Sequence, residues 1–289
     1  MFERVAVFGV GLIGGSFALA LDRINGARRI VGVGRNSPSS RANLERALQL
    51  GVIDEIARDE EDALRGTDLV MLAAPVQQTE ALLDAIQPHL TLRTVVTDAG
   101  STKQNVVEAA RRALGGKFPQ FVPGHPIAGK ESSGVEAAEA TLYDGKRCIL
   151  TPLADTAGHA FERVRDLWTV CGAIVSQMDP LQHDRVFASV SHLPHLLAFA
   201  LVAAIAREDD AAVKFAHAGG GFRDFTRIAA SSPEMWRDIC IANKPALLRE
   251  LVAFEQELAL LRRLIDNGDT AGVEREFALA REIRGNLRF

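Results

Sequence analysis

Cysteine is scarce in this chain: Cys148, Cys171 and Cys240 are the three in 289 residues, far apart and without Cys-x-x-Cys spacing. That excludes a disulfide framework and a zinc knuckle, and it leads us to expect a reducing, cytoplasmic setting. Basic runs and basic–aromatic interleaving are missing and the formal net charge is −4, so nucleic acid is not an expected partner. Metal-ligand spacing is also lacking: His192 and His195 stand i, i+3 with no third ligand, and no metal is expected. No membrane partner is expected either, because Leu193–Ala206 contains Pro194 and His195 and reads as a buried helix too short to span a bilayer. The first residues already read as a core strand, so no secretion signal is expected. What remains is a composition 47% hydrophobic and 24% charged, typical of a soluble globular protein long enough for two domains.

What is present begins with glycine. The apolar run Val5-Ala6-Val7-Phe8 ends in Gly9-Val10-Gly11-Leu12-Ile13-Gly14, and a helix-like stretch over 15–22 follows. Strand, glycine loop and helix in that order form the dinucleotide-binding fingerprint. Gly9 allows the tight turn, Gly11 lets backbone approach a pyrophosphate, and Gly14 lets the helix lie on the strand. Leu12 and Ile13 place the helix N-terminus against the anion. Further strand-like runs lie at 30–33, 69–73, 94–98, 121–122, 147–151 and 173–177, with helical patterns at 77–86, 103–114 and 157–170 between them. Such alternation predicts an α/β fold with a doubly wound, mostly parallel sheet that takes its ligand at the strands' carboxyl ends. Ala74 and Pro75, just past the third such run, fall on that edge.

The cofactor's second half is read after the second strand. A carboxylate there selects NAD, but the sequence reads Gly34-Arg35-Asn36-Ser37. Arg35 and Ser37, with Asn36 between them, suit a 2′-phosphate, so NADP is the expected cofactor and NAD the alternative.

After residue 178 the texture becomes helical, with patterns at 184–207, 233–242, 244–267 and 270–286 broken by Gly219-Gly220-Gly221. This places a dinucleotide-binding domain at 1–178 and an all-helical domain at 179–289. Leu196, Leu197, Phe199, Leu201 and Val202 make the first of these helices apolar nearly all round, which predicts burial on more than one face, through a homodimer formed by these helices or, as the plainer alternative, within one chain.

Four clusters carry candidate chemistry, 98–103, 124–131, 191–195 and 219–227 with Trp236 nine positions later, and they stand in the strings DAGSTK (98–103), GHPIAGKE (124–131), HDRVFASVSHLPH (183–195) and GGGFRDFTRIAASSPEMW (219–236). His125, in a Gly/Pro-braced loop at the sheet's catalytic edge, is suited to accept a hydroxyl proton near neutral pH. Ser101 reads alone as a helix N-cap. Taken together the clusters resemble the prephenate/arogenate dehydrogenase family of tyrosine biosynthesis, from the glycine loop to about residue 264. The resemblance implies oxidative decarboxylation of a cyclohexadienyl acid, in a cleft between a dinucleotide-binding domain and a helical dimerisation domain. By the same resemblance His125 is the catalytic histidine, and Ser101 is the serine that hydrogen-bonds the same region. Arg227 binds a substrate carboxylate, His192 and His195 line the pocket, and Lys130, Glu131 and Trp236 form a gate or wall. No fused chorismate mutase or regulatory segment is recognised, so a monofunctional enzyme is expected, with any tyrosine inhibition competitive. Prephenate against arogenate stays open. So do two other readings: a dehydrogenase of the β-hydroxyacid type, and a non-catalytic NADP sensor.

Overall fold

A computed structural model describes residues 1–130 and 132–287. The first layer runs β1 (Val5–Phe8), α1 (Leu12–Arg23), β2 (Ile30–Val33), α2 (Pro38–Gln49), β3 (Glu55–Ile56), α3 (Glu60–Leu64), β4 (Leu69–Leu72), α4 (Thr79–Ile86), β5 (Val95–Asp98), α5 (Gln104–Leu114) and β6 (Phe121–Val122). The strands form a parallel six-stranded sheet ordered β3-β2-β1-β4-β5-β6. β1, β2, β4 and β5 are buried at every residue, as strands covered by helices on both faces must be. Phe17, Leu21 and Trp168 pack with Val5 and Val7 on one face, while Leu83, Leu114 and Phe121 pack with Ala6 and Phe8 on the other. The strand order reverses between β1 and β4, whose carboxyl ends open the crevice where such sheets take ligands.

The expected α/β class is what the chain adopts, with one rearrangement. Residues 147–151 and 173–177, expected to continue the main sheet, instead build a separate one. β7 (Gly124–Pro126) pairs antiparallel with β8 (Arg147–Leu150), and β8 pairs parallel with β9 (Ile174–Gln177), while α6 (Gly158–Val170) crosses between the last two. Residues 124–126 read as loop because glycine and proline are poor strand formers. The polar elements α2, α3 and β3 were likewise not anticipated.

From Pro180 onward the described residues form helices and no strand: α7 (Pro180–Phe187), a π-turn over Ala188–His192, α8 (Leu193–Ala206), α9 (Ala211–Ala216), α10 (Gly220–Thr226) and α11 (Pro233–Ala242). Asp179 caps α7, its Oδ1 accepting from the Leu181 and Gln182 amides at 2.8 and 3.2 Å. The expectation of a short, buried apolar helix is corrected here. Pro194 follows directly on the π-turn over Ala188–His192, where the regular i→i−4 bonding is already interrupted, so it does not break the helical run. Pro180–Ala206 is 27 residues long and contains an 18-residue stretch with a mean hydropathy of 1.7, enough by length and composition to cross a membrane. Only 22% of its apolar stretch is buried, Leu193 and Ala198 being the buried members of α8.

Compactness groups Met1–Lys244 as one unit and Pro245–Phe289 as another. The change to helix at 178 lies inside the first unit, because Asp184 and Asn243 hydrogen-bond within it. The second unit consists of α12 (Lys244–Asp266, from Pro245 on) and α13 (Thr270–Asn286), joined by a turn at Gly268.

Candidate active site

At the crevice, Gly9 has φ +95°, and a Cβ there would lie 2.6 Å from the Ala73 oxygen; one on Gly14 would lie 2.1 Å from the Gly9 oxygen. Strand, loop and helix therefore cross at backbone contact. A Cβ on Gly11 would meet nothing within 4 Å, and no side chain caps α1. The first-turn amides at Leu12 and Ile13, without partners among the described residues, thus face an open cradle with the positive end of the helix dipole, and a pyrophosphate fits there. Ala74 and Pro75 follow β4 on the same edge, and Arg35 and Asn36 lie exposed beyond β2. Ser37 is the N-cap of α2, its Oγ accepting from the Ser40 amide at 3.3 Å.

Next along this edge, Asp98 ends β5 and joins the two sheets. Its Oδ1 accepts the Gly124 amide at 3.0 Å, while Oδ2 pairs with the fully buried Lys103 ammonium, which also donates to the Gly124 carbonyl at 2.7 Å. Both backbone groups of Gly124 are clamped by one buried ion pair, and that fixes the next residue, His125. A Cβ on Gly124 would lie 2.9 Å from the Asp98 oxygen and 3.3 Å from Leu150. Gly124→Ala is therefore expected to push β7 off the joint, costing ~1–3 kcal/mol in denaturant unfolding and slowing turnover. Unchanged stability and rate would show that the clamp does not hold His125.

His125 is buried, with Nδ1 2.8 Å from His183 Nε2; His183 Nδ1 lies 2.8 Å from Asp184 Oδ1. Phe187 packs on both rings, at centroid distances of 4.8 and 4.5 Å. Asp184 also accepts the Lys103 amide at 2.7 Å and the Gln104 amide at 2.9 Å, so it caps α5 from a different helix. Ser101 does not cap α5 as read from sequence; the cap comes from a residue 80 positions away. Burial lowers the pKa of His125 well below the ordinary imidazole value, and His183 and Lys103 add to this. Burial also lowers His183, although Asp184 partly offsets it.

A second histidine line approaches from α8. Burial brings His192 down to about 4, although Asp184 and the Ser101 main chain oppose this. Its Nδ1 is 3.0 Å from Asn243 Nδ2, which donates to the Asp184 carbonyl at 2.7 Å, and its buried Nε2 has no hydrogen-bond partner within 3.5 Å among the described residues. His195 stacks on Trp236 at 3.6 Å and 19°, its pKa lowered by burial and by the Arg227 charge. Charge interactions thus run from His125 to His192, from His192 to His195, and from His195 to Arg227. Lys130 is not brought to this group: it pairs with Glu139, whose amide bonds Ser16 on α1. Glu131 lies outside the described residues. Sequence reasoning missed the roles of His183, Asp184, Lys103, Asp98 and Asn243. The signal for His183 was the i, i+4 pair His183/Phe187, which places a histidine on the packed face of α7.

The family model for the prephenate dehydrogenase nucleotide-binding domain matches residues 17–177, and that for the prephenate dehydrogenase dimerization domain matches 179–279. The chain belongs to the prephenate dehydrogenase family. It is 37% identical to a prephenate dehydrogenase of Bacillus subtilis (strain 168), over 99% of this chain and 76% of that one. Among solved structures in the prephenate dehydrogenase family, the A. aeolicus enzyme in complex with hydroxyphenyl propionate and NAD+ superimposes with a TM-score of 0.91 at 37% identity, covering 100% of this chain and 99% of that one. Synechocystis arogenate dehydrogenase follows at 0.80 and 30%, covering 98% and 99%.

Proposed function

We propose that this chain catalyses the oxidative decarboxylation of prephenate, or of arogenate, with hydride transfer to a nicotinamide dinucleotide. The observation that carries the reading is a buried histidine, His125, fixed on the carboxyl edge of the sheet by the Asp98 and Lys103 bonds to Gly124 and hydrogen-bonded to His183 of the helical part. The bound nicotinamide would supply the hydride acceptor. His125 takes the ring hydroxyl's proton as the hydride leaves, and Ser101 hydrogen-bonds the same region. Arg227 holds a substrate carboxylate through charge-assisted bonds, and Trp236, stacked on His195, walls the site. His192 is a candidate donor to the substrate. The Asn243 amide nitrogen is identified by its bond to a carbonyl, so His192 Nδ1 accepts and the ring proton sits on Nε2, which has no partner among the described residues. That buried donor awaits a substrate oxygen. A ring aromatising as CO2 departs supplies the driving force, so the protein mainly aligns and holds charge.

The cofactor residues are Gly9, Gly11, Leu12, Ile13, Gly14, Ala74 and Pro75 around the pyrophosphate cradle, with Arg35, Asn36 and Ser37 at the ribose. NADP is favoured, because no carboxylate follows β2 and the Ser37 hydroxyl, which accepts from the Ser40 amide and lies 3.4 Å from Ser39 Oγ, can turn its proton to a phosphate. Domains at 1–178 and 179–289 and a cytoplasmic homodimer complete the reading. An apolar groove of about 340 Å³ whose lining includes Leu196, Phe199, Trp236 and Ile241, with Ile241 63% exposed, supports assembly through the helices.

Reduced nicotinamide formation with prephenate, arogenate and simple hydroxy acids tests the reading. Product is expected with a cyclohexadienyl acid alone, and with a higher kcat/KM for NADP+. Turnover of simple hydroxy acids instead favours the β-hydroxyacid type, silence with all substrates favours a sensor, and a preference for NAD+ of about tenfold overturns the cofactor assignment.

A further inference from the structure

We propose that His183, itself held by Asp184, is a positioning residue that presents a bare Nε2 of His125 to the hydroxyl that loses its proton. This deepens the dehydrogenase reading and rests on it. Protons can be counted along one line of hydrogen bonds. Asp184 Oδ1 accepts the Lys103 amide at 2.7 Å and Oδ2 accepts the Gln104 amide at 2.9 Å, so the carboxylate is an acceptor on both oxygens. His183 Nδ1, 2.8 Å from Oδ1, must then carry a proton. A neutral His183 has its lone pair on Nε2, and the nitrogen 2.8 Å away, His125 Nδ1, must donate to it. One proton on Nδ1 leaves His125 Nε2 able to accept.

The alternative count fails on its surroundings. A second proton on His183 would turn the bond round, placing the His125 proton on Nε2 and blocking the base. The charged and titratable groups facing this pair are the Lys103 ammonium, Asp98, Asp184 and His192. His183 is fully buried with the Phe187 ring against it and the Lys103 charge opposing a second proton, and it stays neutral. Because Asp184 is fixed at the N-terminus of α5, the line has a rigid end. During turnover the substrate O–H bond breaks with its electron pair left on oxygen, and an N–H bond forms on His125 Nε2. The imidazolium then donates a charge-assisted bond from Nδ1 to His183, whose own N–H ends at the carboxylate. The charge is met without a proton leaving the line.

Two substitutions and a spectrum test this. His183→Leu removes the acceptor; His183→Gln keeps one near the position of Nε2. His183→Leu is expected to lower kcat ~30-fold or more with both KM values within about twofold, and His183→Gln to recover to within about fivefold of the parent. In ¹⁵N spectra of histidine-labelled parent protein, signals missing in His125→Asn identify His125, and these should show a protonated Nδ1 and an unprotonated Nε2. In His183→Gln that pattern should persist. A proton on Nε2 in the parent overturns the proposal whatever the variants do. So does a His183→Leu rate within about threefold of the parent, or a His183→Gln as slow as His183→Leu although both remain folded by circular dichroism. Absence of turnover by the parent with prephenate and arogenate would instead refute the dehydrogenase reading, and the ¹⁵N pattern would still decide the tautomer.

Discussion

Replacing His125 with asparagine is expected to lower kcat ~10²-fold or more while dinucleotide affinity stays within about twofold. Asparagine places an amide near the Nδ1 position, so His183 Nε2, 2.8 Å from that atom in the parent, keeps a donor and no buried group is orphaned. What is lost is the second ring nitrogen, and with it the group that accepts the hydroxyl proton. The glycine cradle lies at the ends of β1 and β4, whereas His125 lies in the second sheet, tied to β5 through Asp98. A base-specific defect should therefore appear in kcat at saturating substrate, not in cofactor binding followed by fluorescence titration. Full turnover by His125→Asn would remove His125 from the chemistry.

How much of this was legible in the sequence varies with how local each signal is. The glycine loop could be read because its demands are backbone demands: Gly9 and Gly14 stand where any Cβ would strike main chain. The strands β1, β2, β4 and β5 could be read because both faces are buried, which leaves short apolar runs between helical patterns. The second sheet could not. β7 is Gly-His-Pro, and it is a strand because Asp98 and Lys103 hold Gly124 in place and β8 pairs with it, not because of its own propensity. Helix α2 was missed although Ser37-Pro38 is a start signal, since most of its residues are polar and only Leu44 and Ala47 are buried.

The site shows the same division. His125, His192, His195, Arg227 and Trp236 were named as separate clusters, and the fold relates them through contacts and charge. The residues that fix them were invisible one by one. Asp184 lies next to His183 in sequence yet acts on an amide 81 positions away, and Asn243 reaches 51 positions to His192. Capping is normally sought within the few residues before a helix, so a carboxylate from another helix escapes that search. These long-range bonds also explain why Pro180–Asn243 belongs to the same compact unit as the sheets.

Acidification should destabilise this protein well before its surface carboxylates titrate. His125, His183, His192 and His195 all have lowered pKa values in the fold, with burial the first cause for each. Unfolded, each returns to about 6.5. Below that value the unfolded chain binds protons that the folded chain refuses, so stability is complete above pH 6.5 and falls as pH drops, until each folded pKa is reached. For His192, with a folded value of about 4, the window runs from about 6.5 to about 4, and its share of the loss at pH 5 is about 2 kcal/mol. The other three add in the same direction. Salt-bridged surface carboxylates titrate lower and contribute little per pair, so they do not obscure this window. Denaturant unfolding at fixed protein concentration, from pH 7.5 to pH 5, should show a loss exceeding the His192 share alone, with proton uptake on unfolding. A loss below about 1 kcal/mol would mean that these histidines are charged or solvated in the folded state. The neutral line from His125 to Asp184, on which the catalytic tautomer depends, would then be wrong as well.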